Sequence, residues 1–545
     1  MKLIIKYNII MRIMTKFITL LIAAAIAVPA IAQSTDAVFQ DKITSAVMKV
    51  YDDHLAENPN DYNVIFARAH QHYYDGDYTA ALADVNQALL LTPKTDKELR
   101  FDEYILRARI SEARMDYSSE LADLRMAQEL QPKSLACTDL IAKANLKCGN
   151  YDAAEKAFKT ILRAESMNYD AMYGMAQVEA ARGNGKAALA QVNKAVELFR
   201  VEPQVFINRA DIQAKLGDIN AAVQDLLQGM TVGDGGNAAR SLFDLSDTHY
   251  DGVMSALALL ADRSTDGGGL YRYLRANIAL DHARYGQALS DLNYIRRGHL
   301  YDSPMMLYNM AKCYLELGRY DEALARVNEA ISRDNTQPEF YVLKSLAEYN
   351  AGDGGNFDAA MATLNNCSSI SPQFVPMLIT KASLLSSRGK DTDALGYLNA
   401  AVANDPSDAE ALIARALTLK RLDKLNLAVK DLNTMTRFGN DVYDFKGIAL
   451  SELGRDNDAL SWLNAITSTD VPGGENFFYA AVFMAMRGDN FKAMEYAQKA
   501  VDLGFSSRYR LQYDELSPLN LKKLRDEPGF QLLMDKAMRN FVEAN

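Results

Sequence analysis

Cysteine is scarce in this 545-residue chain: there are four, and none forms a Cys-x-x-Cys pair. That removes the dithiol redox motif and the zinc sites built on such pairs. Cys137 and Cys148 stand eleven residues apart on one predicted helix, about 16 Å along its axis at 1.5 Å per residue, too far for a disulfide. Cys137, Cys148, Cys313 and Cys367 are therefore expected to be free, buried, small apolar residues. Proline is sparse, at 13, and Ala-rich stretches abound, which favours helices over sheets. Histidine numbers only six. His70 and His72, two residues apart, point about 200° from each other on a helix and cannot share a metal, although His54 could approach one of them. Neither Gly-x-Ser-x-Gly nor His-Glu-x-x-His occurs. The glycine clusters at 233–236 and 267–269 lack the trailing Lys-Ser/Thr of a phosphate-binding loop and do not lie between a strand and a helix. No catalytic residue, metal ligand or cofactor is expected.

Long apolar runs are absent except at the N-terminus. Lys2, Lys6, Arg12 and Lys16 precede an uninterrupted apolar stretch near Leu20 to Val28, followed by Pro29 and Ala30-Ile31-Ala32. This is the pattern of a cleaved signal peptide, residues 1–32; the run is about half the ~20 residues a membrane span needs. No cysteine follows it to take a lipid. Cleavage would remove four positive charges and take the net charge from −11 to −15. A distributed acidic charge with no Lys/Arg block opposes nucleic acid and anionic membranes as partners. The expectation is an exported chain with no integral membrane segment after cleavage, periplasmic in the first reading and secreted or surface-associated in the second. With 49% apolar residues, a packed core is within reach.

What is abundant is self-similarity. The segment Leu317 to Leu324 reads LGRYDEAL, and its turn glycine recurs in kind at Gly149, Gly183 and Gly217, each 34 residues from the last. With the turn residue at position 15, repeats start at 62, 101, 135, 169, 203, 269, 304, 338, 375, 409, 440 and 474. Position 8 is then Ala in ten repeats, with Ser345 and Gly447 in the other two. Position 20 is Ala in eleven of twelve, the exception being Glu120. Pro93, Pro132, Pro372 and Pro406 stand where a second helix would end. A 34-residue period with this turn resembles the tetratricopeptide-repeat family over about residues 61–503.

The resemblance implies an all-α, right-handed solenoid of about 12–13 helix hairpins. Its expected parts are a capping helix within 33–60, a first block at 61–232, a degenerate repeat at 233–268, a second block at 269–503 and capping helices at 504–545. In the degenerate repeat, helices are expected from Ala238 to Thr248 and from Gly252 to Ala261; its flanking glycines make a hinge the alternative reading. Extra residues Asp353-Gly354-Gly355-Asn356 sit in the turn of the repeat starting at 338.

Two side-chain patterns follow from the numbering. Arg68, Arg107, Arg209, Arg275 and Arg415 occupy position 7, and the same five repeats carry Asp84, Asp123, Asp225, Asp291 and Asp431 at position 23. Positions 7 and 23 lie at matching heights on the two helices of a hairpin, so five internal Arg–carboxylate bridges are expected. In tetratricopeptide repeats the first helix lines the binding groove, chiefly through positions 2, 5, 9 and 12. Reading those columns gives His70, Tyr73, Arg109, Lys143, Tyr173, Gln177, Tyr308, Lys312, Asp444 and Phe478 as partner contacts. The Lys/Asn clamp for chaperone C-termini is missing, since its positions hold Phe66 and His70. The repeats leave no segment for an enzyme domain. The function implied is a non-catalytic protein- or peptide-binding scaffold of the bacterial envelope; the alternative is an adaptor or spacer in a secretion or polysaccharide-export assembly. Oligomeric state is not legible.

If position 8 marks a close helix crossing, Ala311→Leu and Ala382→Leu should each destabilise the fold by about 1–3 kcal/mol through overpacking. Chemical denaturation reads this, and unchanged midpoints in both variants would overturn the repeat numbering.

Overall fold

The computed structural model describes residues 47–232, 236–265, 267–300, 302–351, 356–436, 445–471, 473–513 and 520–543. The 1–32 segment, residues 353–355 of the insertion and Asp444 lie outside the described residues, as does the start of the expected capping helix, of which 47–57 is helical. Among the described residues the regular elements are helices in consecutive hairpins, with no strand. The helices form two compact units, Ile43–Arg275 and Ala276–Asn545.

Each hairpin follows from three local choices. The first is the turn. Position 15 is in the left-handed region at Gly76, Gly149, Gly183, Gly217, Gly318, Gly389, Gly454 and Gly488, with φ between 70° and 85°. Met115, Ala283 and Asp423 hold the same conformation at φ 59°, 52° and 56° without being glycine. Each of these three stores about 1–2 kcal/mol of strain, so the packing on either side imposes the turn. The second choice is the cap. Asp77, Asp116 and Asp218 each accept the amide N–H three residues ahead and satisfy an otherwise orphaned donor at the start of a second helix.

The third choice is the crossing. At position 8, Ala69, Ala142, Ala276, Ala311 and Ala416 are fully buried, as are Ala81, Ala154, Ala323 and Ala493 at position 20. Gly447 shows why one repeat departs from alanine: a Cβ there would lie 2.0 Å from the ring of Trp462, the chain's single tryptophan. Large side chains fill the space between crossings, among them Phe158, Phe340 and Phe483.

First helices begin at Tyr62, Leu135, Tyr169, Pro203, Gly269, Pro304, Pro338, Val375 and Ala409, in step with the 34-residue numbering. One runs longer: Lys97–Ala113 starts four residues before position 1, because Asp96 caps it by accepting the Leu99 amide. The degenerate repeat is a single run, Gly236–Arg263, broken only at His249 (φ −134°, ψ 42°), so its turn has shrunk to one residue. After the last hairpin come a π-turn at Tyr509–Tyr513, a short 3-10 turn at Lys522–Leu524 and the helix Phe530–Glu543.

Four Arg–Asp pairs are present as two-pronged bridges. Arg68 donates to Asp84 at 2.7 and 2.9 Å, and Arg107 to Asp123 at 2.8 and 2.6 Å. Arg209 donates to Asp225 at 2.6 and 2.5 Å, and Arg415 to Asp431 at 2.7 and 2.6 Å. The division between the units falls between Arg275 and Asp291, the fifth pair. The remaining nitrogen of each guanidinium does something the spacing did not suggest. It reaches back to the preceding helix, to Asn86 from Arg107, Asn193 from Arg209 and Asn399 from Arg415. Arg68 meets Asp52 of the 47–57 helix in the same way. Each arginine thus ties its own hairpin and joins it to the element before.

Two expectations are corrected. Cys137, Cys313 and Cys367 are buried, but Cys148 is exposed: it caps the helix Leu135–Lys147 and so sits at the surface turn rather than inside a longer helix. From its sequence position His54 could reach toward His70 or His72. It pairs instead with Asp61 at 2.9 Å, because both flank the entry to the first repeat.

Glu120, the exception in the alanine column, is 3% exposed and has one carboxylate oxygen without a hydrogen-bond partner. Burial raises its pKa from 4.5 to about 7, Glu112 adding to the rise and Lys147 opposing it. A raised carboxyl favours the protonated fold, so its penalty is absent below pH 4.5, grows as the unfolded chain ionises and is complete above pH 7. Glu120→Gln should melt like the parent at the acid end of that window. Above it the variant should be more stable by about 1–2 kcal/mol, a figure reduced for solvent screening. Parallel stability curves across the window would contradict this.

Candidate functional site

In the Ile43–Arg275 unit, several of the expected groove residues converge. The His70 ring meets Phe66 edge-on, with centroids 4.8 Å apart, and stacks with Tyr74 at 6.2 Å. Its pKa is lowered, first by burial and then by the nearby Arg109 charge. Tyr73 packs against Tyr74 and Tyr78, and burial raises its pKa, which Arg109 partly offsets. Arg109 is exposed between them and solvent, so His70, Tyr73 and Arg109 form one aromatic and cationic patch. Lys143 is also exposed but bonds Asp139 one turn away on its own helix.

Farther along the same unit, the Tyr173 hydroxyl donates to Asp211 of the next repeat at 2.8 Å. Burial chiefly, then Asp211, pushes its pKa upward, while a bond to Gln177 pulls the other way. Tyr173 and Asp211 line a cavity of about 620 Å³ with Gln204, Asn208, Lys215 and Asp244. Its far wall is the kinked run, through Leu245, Thr248 and His249.

In the Ala276–Asn545 unit the chain returns on itself. A Cβ at Gly473 would lie 1.8 Å from the His282 carbonyl oxygen, nearly two hundred residues earlier in sequence. Ser506 donates to the Ala283 carbonyl at 3.3 Å, and Ser507 to the Glu316 carboxylate at 2.5 Å. The helix Phe530–Glu543 packs on Tyr285–Arg297, the second helix of the unit. The same unit holds an open cavity of about 560 Å³, lined by Tyr285, Glu316 and Glu475 among others.

Arg510 stands in the wall of that cavity, its side chain only 15% exposed. It bonds Glu475 at 2.5 Å and lies 4.4 Å from the Phe478 ring centroid and 5.3 Å from those of Tyr479 and Phe505. Burial works against its charge, but Tyr479, Glu475, Tyr285 and Glu316 outweigh that and raise its pKa. Of the expected contacts, Lys312 lines the cavity. Phe478 also borders it but is 4% exposed, stacked on Phe505 at 4.8 Å, so its surface is spent on packing. Tyr308 likewise stacks on Phe340 at 5.2 Å, and burial raises its pKa to about 12. Asp444 lies outside the described residues. Sequence columns missed Arg510, Glu475, Tyr479 and Tyr285. Arg510 belongs to no repeat, Tyr479 and Tyr285 leave the 2, 5, 9, 12 register, and Glu475 stands at position 2 but was not singled out among the acidic residues of the helix faces.

Residues 140–203, 273–338 and 308–365 match the tetratricopeptide-repeat family. Those three stretches carry tetratricopeptide repeats. Proteins built of such repeats bind proteins and peptides. The chain is similar to DnaJ homolog subfamily C member 3 of Gallus gallus, 23% identical over 325 residues, covering 54% of this chain and 64% of that protein. It is also similar to tetratricopeptide repeat protein 13 of Homo sapiens, 35% identical over 91 residues, 16% of this chain and 11% of that protein. The chain spans less than two thirds of each of these relatives. Among solved structures, the C-terminal part of a repeat protein from Cytophaga hutchinsonii is 14% identical, with a TM-score of 0.33, covering 45% of this chain and 93% of that one. Among the described residues, no helix is long and apolar enough to cross a membrane.

The return of the chain onto His282 can be tested with two glycines of similar φ. Gly389 (71°) has open space around its missing Cβ, whereas Gly473 (85°) abuts the His282 carbonyl. Gly389→Ala should cost about 1 kcal/mol for the left-handed backbone alone. Gly473→Ala should cost at least about 2 kcal/mol more, from the forced contact. Equal losses in denaturation would deny the close approach.

Proposed function

We propose that this chain is a non-catalytic scaffold of the bacterial cell envelope that holds peptide or helical segments of other proteins against the first-helix faces of its repeats. The observation carrying this reading is the patch of His70, Tyr73 and Arg109, with the Tyr173 cavity farther along the same unit. Aromatic rings and an exposed guanidinium on one face are the side chains that anchor protein interfaces, and the cavity beyond has room for an anchoring side chain. The envelope placement rests on the basic and apolar N-terminal segment.

A photo-crosslinking residue at Arg109 or Tyr173, introduced in intact cells, should capture one dominant partner, while the same residue at Lys194, on a second helix, should not. Capture at Lys194 alone would favour the adaptor reading and remove the groove residues from consideration. Recovery of the protein in the cytosolic fraction would overturn the envelope placement.

A further inference from the structure

The last second helix is Asn490–Asp502, and the chain does not leave the array there. It turns at Gly504, where φ is 104°, and residues 505–511 run back onto the unit's own first helices. Ser507 donates to Glu316, the last residue of the first helix Pro304–Glu316. Arg510 bonds Glu475, which opens the first helix Glu475–Met486, and its guanidinium lies over Phe478 one turn along. Phe505 stacks on the same Phe478 ring. The open cavity beside these contacts is lined from groove positions: Glu410 and Glu475 at 2, Ile379 and Phe478 at 5, Lys312 and Leu346 at 9. Tyr509 and Arg510 stand in that lining with them.

The returning segment is held as a groove holds a peptide. Phe505 and Leu511 are buried apolar anchors. Directed polar bonds then fix its position, from Ser506 to the Ala283 carbonyl, from Ser507 to Glu316 and from Arg510 to Glu475. The segment itself, FSSRYRL, has no alanine and belongs to no hairpin. Only Leu503 and Gly504 separate it from the last helix, so it is always at hand. A short tether gives an effective concentration of order millimolar, and a free segment of equal, micromolar affinity is then weakened about a thousandfold.

We infer that residues 505–511 are an internal ligand: they occupy the first-helix groove of the Ala276–Asn545 unit and bar other segments from it, leaving partner binding to the Ile43–Arg275 unit. The inference rests on the scaffold reading and says which unit is closed. Opening it requires that the polar bonds of the segment be cut or outcompeted.

The test uses the full-length chain, a fluorescent peptide copying residues 504–512 and a control peptide carrying Arg510→Glu. Anisotropy should show neither peptide binding the parent, whose groove is filled. The double variant Ser507→Ala, Arg510→Ala should keep its helix content by circular dichroism. It should bind the copied peptide at least about tenfold more tightly than the parent does, and tenfold more tightly than it binds the control. Adding Glu475→Gln should remove that binding. Equal binding by parent and double variant, no binding by the double variant, or indifference to Arg510→Glu in the peptide would each overturn the inference. Loss of helix content in the double variant would overturn it too, by making the segment part of the core. Hydrogen exchange in the parent supplies a second measurement: the Leu511 amide, bonded to the Ser507 carbonyl, should exchange faster than the mid-helix amides of Asn490–Asp502, and equal rates would deny that the segment can leave a folded array. Crosslinking at Tyr173 reads the other unit. Capture there with failure here removes only the internal ligand, whereas no capture at Tyr173 removes the scaffold reading whatever the peptide does.

Discussion

Everything in this molecule depends on two helices being able to cross at the distance of two alanine side chains. The crossing at positions 8 and 20 sets the hairpin, the hairpin sets the stacking surface, and the stacked first helices make the faces on which binding residues stand. A larger group at the crossing would push the helices apart and misplace every contact beyond it. The constraint is strong enough to impose left-handed backbone on Met115 and Ala283, neither of which adopts it readily. Where Trp462 comes in from the second helix, even alanine is too large and Gly447 takes its place.

Much of this was legible in the chain because it is periodic. A column repeated twelve times separates a structural requirement from an accident, so helix starts, turns and the Arg–Asp pairing could be read from spacing alone. The second role of those arginines was less visible. Asn86, Asn193 and Asn399 also recur at one position, but asparagine on a helix surface is too common to stand out. Glu120 could be recognised as an exception, though only its burial shows that it is strained.

The candidate site was legible in one unit and largely hidden in the other. His70, Tyr73, Arg109 and Tyr173 lie within the first four repeats, so local numbering places them on one face. The cavity of the Ala276–Asn545 unit is assembled by residues that are distant in sequence, from Asp281 to Arg510. No local pattern marks Arg510 as a wall residue, and Phe478 looks like a groove anchor until Phe505 is seen lying on it. Register within a repeat says which way a side chain leaves its helix; it does not say what a later part of the chain will place against it.

The same return of the chain separates the two units in time. Repeats that touch only their neighbours can form as they leave the ribosome, since each new hairpin finds its stacking surface already made. The Ala276–Asn545 unit can begin in that way but cannot finish. Its first hairpin waits for Gly473, Ser506 and Ser507, and the bond from Ser507 to Glu316 joins residues 191 apart. Joining such distant points is slow, and until it happens Tyr285 and Ala283 stay uncovered. The interval between synthesis of the first hairpin and arrival of its cover is when this unit most needs protection from other chains.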